Sequence, residues 1–196
     1  MGSYYYLVAQ LPALSFGTVP AMGSKDFIAL ASYLMTAPDA DLLAECSLVP
    51  FPAGDDPLSA LDSTGSALID GWRAWEGALR LNMAKLRAQN LKRDGAGNME
   101  VPADPLNASS AARAAMAIES PLDADMFLDR ARWDAIEAFQ GFDYFGRDTV
   151  YAYLLKLFLL ERRALFKVEE GFAEYSALYA SIMEAAPYSN ESGEPK

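Results

Sequence analysis

Residues 120–186 read SPLDADMFLDRARWDAIEAFQGFDYFGRDTVYAYLLKLFLLERRALFKVEEGFAEYSALYASIMEAA, and this stretch decides the fold class. Ser120 stands where a helix cap belongs, and Pro121 takes the first helical position. Asp123 follows three after the cap, close to a capping box with Asp in place of Glu. Leu122, Met126, Trp133 and Ile136 recur at helical spacing and predict a buried face. Gly141 ends this helix, and Gly146 lies in the turn after it. From about 147 to 185 the spacing predicts one long helix. Its stripe runs through Tyr151, Leu154, Phe158, Leu165, Phe172, Tyr175, Tyr179 and Ile182. Pro187 ends it, and the tail 187–196 reads as disordered.

A second long helix is predicted over about 58–92. Leu61, Gly65, Leu68, Trp72, Trp75, Leu79, Met83 and Leu86 step by three or four, as one buried stripe requires. Glu76 and Arg80 are spaced for an i,i+4 ion pair, worth a few tenths of a kcal/mol. Gly65, Gly71 and Gly77 each cost about 1 kcal/mol relative to alanine. They mark places where the helix kinks or another backbone comes close. A straight 35-residue helix is about 52 Å long. A globule of this chain length has a diameter of roughly 40 Å. Two such helices require either breaks, at Gly71 or Gly77 and at Gly171, or an elongated molecule.

The remaining segments are shorter. Residues 4–14, YYYLVAQLPAL, begin either a strand or a buried helix, and periodicity does not separate the two over so few residues. Ser24 reads as the cap of a helix that carries Phe27, Ile28, Leu30, Ala31 and Leu34 toward a core. Pro38 stops that helix, and a short one with Leu42 and Leu43 follows from Asp39. Pro50, Pro52, Gly54 and Pro57 make a loop. Residues 94–107, DGAGNMEVPADPLN, make another loop and mark a boundary between two helical layers. An alanine-rich helix over about 109–118 follows. The pattern as a whole predicts an all-α fold, an elongated multi-helix bundle with residues 1–186 in a single domain.

The composition narrows the function classes. Of 196 residues, 52% are hydrophobic and 22% charged, ordinary values for a globular protein. The net charge of −11 argues against general nucleic-acid binding, which needs a basic surface. The charge is uneven. Before Arg73 there are eight acids and one base; residues 73–167 hold fourteen bases and thirteen acids; from Val168 there are six acids and one lysine. Two acidic ends thus flank a mixed middle. Cys46 is the only cysteine, so no intramolecular disulfide forms, as in a reducing compartment. Residues 1–11 lack the basic start of a signal peptide. The apolar run 150–160 is broken by Lys156 and is shorter than the roughly 20 residues a bilayer takes. The expectation is a cytoplasmic protein that meets a membrane only through partners, without inserting directly.

No catalytic constellation emerges. The chain has no histidine, which removes His-based triads, His-containing zinc sites and the commonest neutral-pH acid–base group. One cysteine removes all-cysteine zinc and iron–sulfur sites. GAG at 95–97 lacks the following lysine of a phosphate-binding loop. Asp123, Asp125 and Asp129 suggest a divalent-ion site at first sight. The plainer reading has Asp123 and Asp125 complementing the helix dipole and Asp129 paired on the surface with Arg132. No catalytic residue, metal or cofactor is therefore assigned. Arg80, Lys85, Arg87, Lys92 and Arg93 run along one helix, either as a partner-docking strip or as solvated and internally paired charges. The aromatic set Tyr4, Tyr5, Tyr6, Trp72, Trp75 and Trp133 reads as core.

Four blocks together carry a family resemblance: YYYLVAQLPALSFG at 4–17, WRAWEGALRLNMAKLRAQNL at 72–91, SPLDADMFLDRARWDAIEAF at 120–139 and YAYLLKLFLLERRALFKVEEGF at 151–172. In these the chain resembles a family of bacterial proteins found in gene sets for V/A-type (vacuolar/archaeal-type) ATPases. There a member stands where the C-type socket component is otherwise expected. That component is the all-helical socket between the rotating central stalk and the membrane ion-translocating ring. The resemblance implies a non-catalytic, socket-like structural part whose partners are central-stalk and ring subunits. This chain is much shorter than a full socket component and would supply part of a socket. An assembly factor or regulator of the same machine, or an unrelated helical adaptor, are the alternatives.

Overall fold

The computed structural model describes residues 3–49, 63–92, 103–165 and 168–185. Among them stand eight α-helices and no strand: α1 (Tyr5–Val8), α2 (Ser24–Leu34), α3 (Ala37–Asp41), α4 (Ala67–Asn90), α5 (Ala108–Met116), α6 (Pro121–Gln140), α7 (Arg147–Ala164) and α8 (Val168–Ala185). Short 3-10 turns occupy Leu42–Glu45 and Pro105–Asn107. The chain divides into two units, Met1–Glu161 and Arg162–Lys196. The all-α class expected from the spacing is what forms. The tail 187–196, and most of the loop 94–107, lie outside the described residues.

In the first unit α4 starts later than its apolar spacing suggests. Gly65 takes φ +74° and Ser66 is extended, so the helix begins at Ala67. Ser66 Oγ accepts the Ile69 N–H at 3.2 Å, a side-chain cap in the expected geometry. Asp70 reinforces this start by accepting from Ser63 Oγ at 2.6 Å and from the Thr64 N–H at 2.9 Å. Of the predicted stripe, Leu68, Trp72, Trp75 and Leu79 are buried, and Met83 and Leu86 pack at the edge of the core. Leu61 lies outside the described residues. The helix has 24 residues and runs unbroken through Gly71 and Gly77. That is about 36 Å, well short of what an unbroken 35-residue helix needs. Gly71 serves another purpose. The Phe139 ring of α6 lies where a side chain would be, with its Cδ1 only 2.6 Å from an added Cβ.

Helices α5 and α6 pack on α4 and on each other. Ala108, Ala112 and Ala115 give α5 a buried face of small side chains, which lets it lie close. α6 begins as its sequence predicts, with Ser120 Oγ accepting the Asp123 N–H at 3.3 Å and Pro121 in the first turn. It ends at Gly141, whose φ of +67° suits a residue without Cβ. Its buried face is not the expected one, however. Trp133 and Ile136 are buried, but Leu122 and Met126 are exposed. The inward positions before Trp133 are Leu128, Asp129 and Arg132.

α7 is buried nearly all round rather than along a stripe. Val150, Tyr151, Ala152, Leu154, Leu155, Leu157, Leu159 and Leu160 are all in the core, the mark of a central helix. Its neighbours can be read from specific contacts. The Tyr151 hydroxyl donates to the Asp39 carbonyl at 2.8 Å, and the Tyr153 ring lies 4.9 Å from that of Phe27. Glu161 Oε1 accepts the Ser24 N–H at 2.6 Å. That contact corrects the reading of Ser24 as a cap: Gly23 holds the cap position, and a distant carboxylate satisfies the free helix-start amide of the buried Ser24. Pro38 opens α3 instead of only closing α2. The segment left open between strand and helix is the helical turn α1.

The single helix expected over 147–185 is two helices. α7 ends at Ala164, where the Leu165 N–H bonds the Arg162 carbonyl at 3.2 Å, an i→i+3 closure of the last turn. The charges Glu161, Arg162 and Arg163 follow its last buried leucine, so burial ceases before the helix does. Gly171, where a break was expected, lies inside α8. In the second unit Leu165, Tyr175, Tyr179 and Ile182 are exposed, so the stripe continues by spacing but is not covered. Among the described residues no helix is long and apolar enough to cross a membrane.

Candidate functional site

The basic residues of α4 divide into two groups. Arg80 faces inward, donating from Nε to Glu76 Oε1 at 2.7 Å and from Nη2 to the Leu48 carbonyl at 3.0 Å. It ties the 46–49 segment to the helix while its side chain stays 40% exposed. Lys85 is half-buried, Arg87 and Lys92 are exposed, and Arg93 lies outside the described residues. Among the described residues the strip thus runs from partly covered Arg80 and Lys85 to exposed Arg87 and Lys92, the last just beyond the end of α4.

The three acids of α6 do not converge. Asp129 is buried and accepts from Arg132 Nη1 at 3.2 Å, while Asp123 is exposed in the capping turn. Among the described residues no group of three or more His, Cys, Asp or Glu is placed to hold a metal ion. The pairing of Asp129 with Arg132 was expected, but on the surface. Instead it is buried and joined by Glu76 of α4, which is fully buried. Arg132 donates to Glu76 Oε2 from Nε at 3.1 Å and to Oε1 from Nη2 at 3.3 Å. Burial alone would lower the Arg132 pKa; Glu76 and Asp129 outweigh that and raise it. This network fixes α4 against α6.

A second polar cluster pins the N-terminus. The buried Tyr4 hydroxyl donates to Asp39 Oδ2 and lies 3.3 Å from Thr36 Oγ1. Arg147 Nη1 donates to Asp39 Oδ1 at 3.1 Å, and its Nη2 to the Gly65 carbonyl. Burial would raise the Asp39 pKa, but these hydrogen bonds from Tyr4, Arg147 and Thr36 hold it below the usual value. The Arg147 guanidinium is held charged by the bond to Asp39. Cys46 is buried, and burial pushes its thiol up to about 12, which leaves it an unreactive core residue.

Around this clamp aromatic rings face outward. The Tyr4 N–H bonds the Phe145 carbonyl at 2.7 Å, and the Tyr5 ring lies 4.7 Å from that of Phe145. Tyr5, Tyr6, Phe142, Tyr144 and Phe145 are all exposed, Phe142 at 93%. Tyr5 and Tyr6 were expected in the core with Tyr4, Trp72, Trp75 and Trp133; only the latter four are buried. Phe142, Tyr144 and Phe145 were not singled out. The signal was present in the sequence GFDYFG, three aromatics on a glycine-bounded turn with no helix to bury them. Aromatic side chains on a fixed backbone are what protein interfaces use as anchors, because little rotamer freedom is lost on binding.

Comparison of the chain with protein-family models, with curated proteins and with solved structures gives no match in any of the three.

Proposed function

We propose that this chain is a non-catalytic structural part of a V/A-type ATPase, in the manner of its C-type socket component, held between central-stalk and membrane-ring subunits. The observation that carries the reading is the sequence resemblance of the four blocks at 4–17, 72–91, 120–139 and 151–172. It is supported by where those blocks meet. Glu76 of the second block pairs with Arg132 of the third, and Lys156 of the fourth lies over the Trp133 ring of the third at 5.0 Å. The residues that carry the resemblance are thus also residues that hold the helices together. An all-helical build with exposed aromatic anchors suits a part that transmits force by packing.

The test is an affinity pull-down of the tagged full chain from source-cell membranes in mild detergent, with stoichiometry by mass spectrometry. Stalk and ring subunits at a near-equal ratio to this chain support a built-in coupling part. Trace recovery favours an assembly factor or regulator instead. Absence of every ATPase component overturns both and leaves an unrelated helical adaptor. Substituting Phe142 by Ser should weaken recovery if the aromatic end is the contact.

A further inference from the structure

α8 carries an exposed apolar face. Tyr175, Leu178, Tyr179, Ile182 and Met183 are 64, 61, 54, 57 and 50% exposed. At about 3.6 residues per turn these five positions fall on one side of the helix, spaced i, i+3, i+4, i+7, i+8. Isolated exposed apolar residues are ordinary, but a contiguous patch marks an interaction site. An 18-residue helix draws most of its stability in water from packing such a face. The face is also partly ordered in advance: the Tyr175 and Tyr179 rings stack at 6.3 Å. Met183 supplies a flexible, polarisable contact beside them.

The charge of the helix selects its partner. Val168–Ala185 contains four glutamates and neither lysine nor arginine. A second copy of the same helix would bring like charges together across the seam. A phospholipid surface is bound by amphipathic helices rich in lysine and arginine, and an anionic surface repels this one. A protein groove with an apolar floor and basic edges matches both the stripe and the acidic composition of the helix. We infer that the Tyr175–Met183 face of α8 docks into an apolar groove rimmed by lysine or arginine on another protein. The inference is independent of the ATPase reading, since it uses only the face and charge of this helix.

The experiment places a photo-crosslinking benzoylphenylalanine in the full chain in source cells. It is introduced at Leu178 or Ile182 on the face, and at Ala177 or Ala180 off it. Adducts are identified and mapped by mass spectrometry. The expected result is one common partner from Leu178 and Ile182, at least about tenfold weaker from Ala177 and Ala180. Its crosslinked surface should carry lysines or arginines. Purified, that partner should bind the full chain with affinity falling about tenfold between roughly 50 and 300 mM salt. Leu178→Asp, with unchanged helix content, should abolish binding. The inference is overturned by adducts to a second copy of this chain, to residues 1–161 of the same chain or to a partner surface without basic residues. Equal adducts from both faces, no adduct at all, or binding to phosphatidylcholine or phosphatidylglycerol vesicles overturn it equally.

Discussion

Arg132 of α6 grips both carboxylate oxygens of Glu76 of α4, at 3.1 and 3.3 Å, with Glu76 fully buried and Arg132 nearly so. Bidentate geometry of this kind fixes the relative rotation of two helices as well as their distance. Removing Glu76 leaves the buried Arg132 charge to Asp129, 3.2 Å away. Glu76→Ala should therefore cost about 3–5 kcal/mol, and urea unfolding followed by circular dichroism measures it. A loss below about 1 kcal/mol would show that the network relaxes through Asp129 and Arg80.

Gly71→Ala should destabilise the fold even though alanine is the better helix former. The propensity gain is about 1 kcal/mol, while forcing a methyl into the Phe139 ring costs about 1–3 kcal/mol. Phe139→Leu in the same chain should recover part of that loss, because the clash and the space around it are shared. Thermal melts of the two single variants and the double variant give the coupling. Strict additivity would mean that the ring moves aside freely.

The two serine caps should differ. Ser120 makes one bond, to the Asp123 amide, and Ser120→Ala should cost about 1 kcal/mol. Ser66 is fully buried and makes two, accepting from Ile69 and donating to Asp148 Oδ1 at 2.7 Å. Ser66→Ala removes the cap and a partner of Asp148 together, and should cost about 2–3 kcal/mol. Midpoints of urea unfolding compare them; equal losses would contradict the second bond.

Stability should fall on acidification, and the sign follows from three aspartates. Asp39 and Asp70, in spite of burial, are carried below the usual value, Asp39 by bonds from Tyr4, Arg147 and Thr36 and Asp70 by Ser63 and Thr64. Asp104 is lowered by its bonds from Ser109. In the unfolded chain each returns to about 3.9. The unfolded chain then binds more protons, so stability is fully present above that value and drains away as pH falls through the lower folded values. Asp39→Asn should flatten this acid limb and weaken the protein at neutral pH. Urea midpoints at steps from about pH 2.5 to 6 test it; a flat wild-type profile would contradict the assignment.

Signals confined to one helix were legible in the sequence, and those that needed the fold were not. The Ser120 cap, Pro121 and Gly141 bounded α6 correctly because each acts on its own turn. Glu76 and Arg132 are 56 residues apart, and spacing rules reach only i+3 and i+4. Each of the two was thus expected only in a pair on its own helix, Glu76 with Arg80 and Arg132 with Asp129, and both of those pairs form. The apolar spacing ran through 147–185 without a proline, so nothing local announced that α7 ends at Ala164. The same spacing marked Tyr175, Tyr179 and Ile182 as one face; whether a face is covered depends on what packs there, which spacing does not encode. The aromatic end was half legible: YYY drew notice, while GFDYFG read only as a turn.

All three tryptophans sit in the first unit, Trp72 and Trp75 stacked at 5.8 Å and Trp133 beneath Lys156. The fold thereby comes with a built-in optical partition. Every indole reporter belongs to the first unit, whereas ellipticity sums over every helix. Should α8 melt first, ellipticity falls while emission holds steady, and the gap between the two curves is the unfolding of that helix alone.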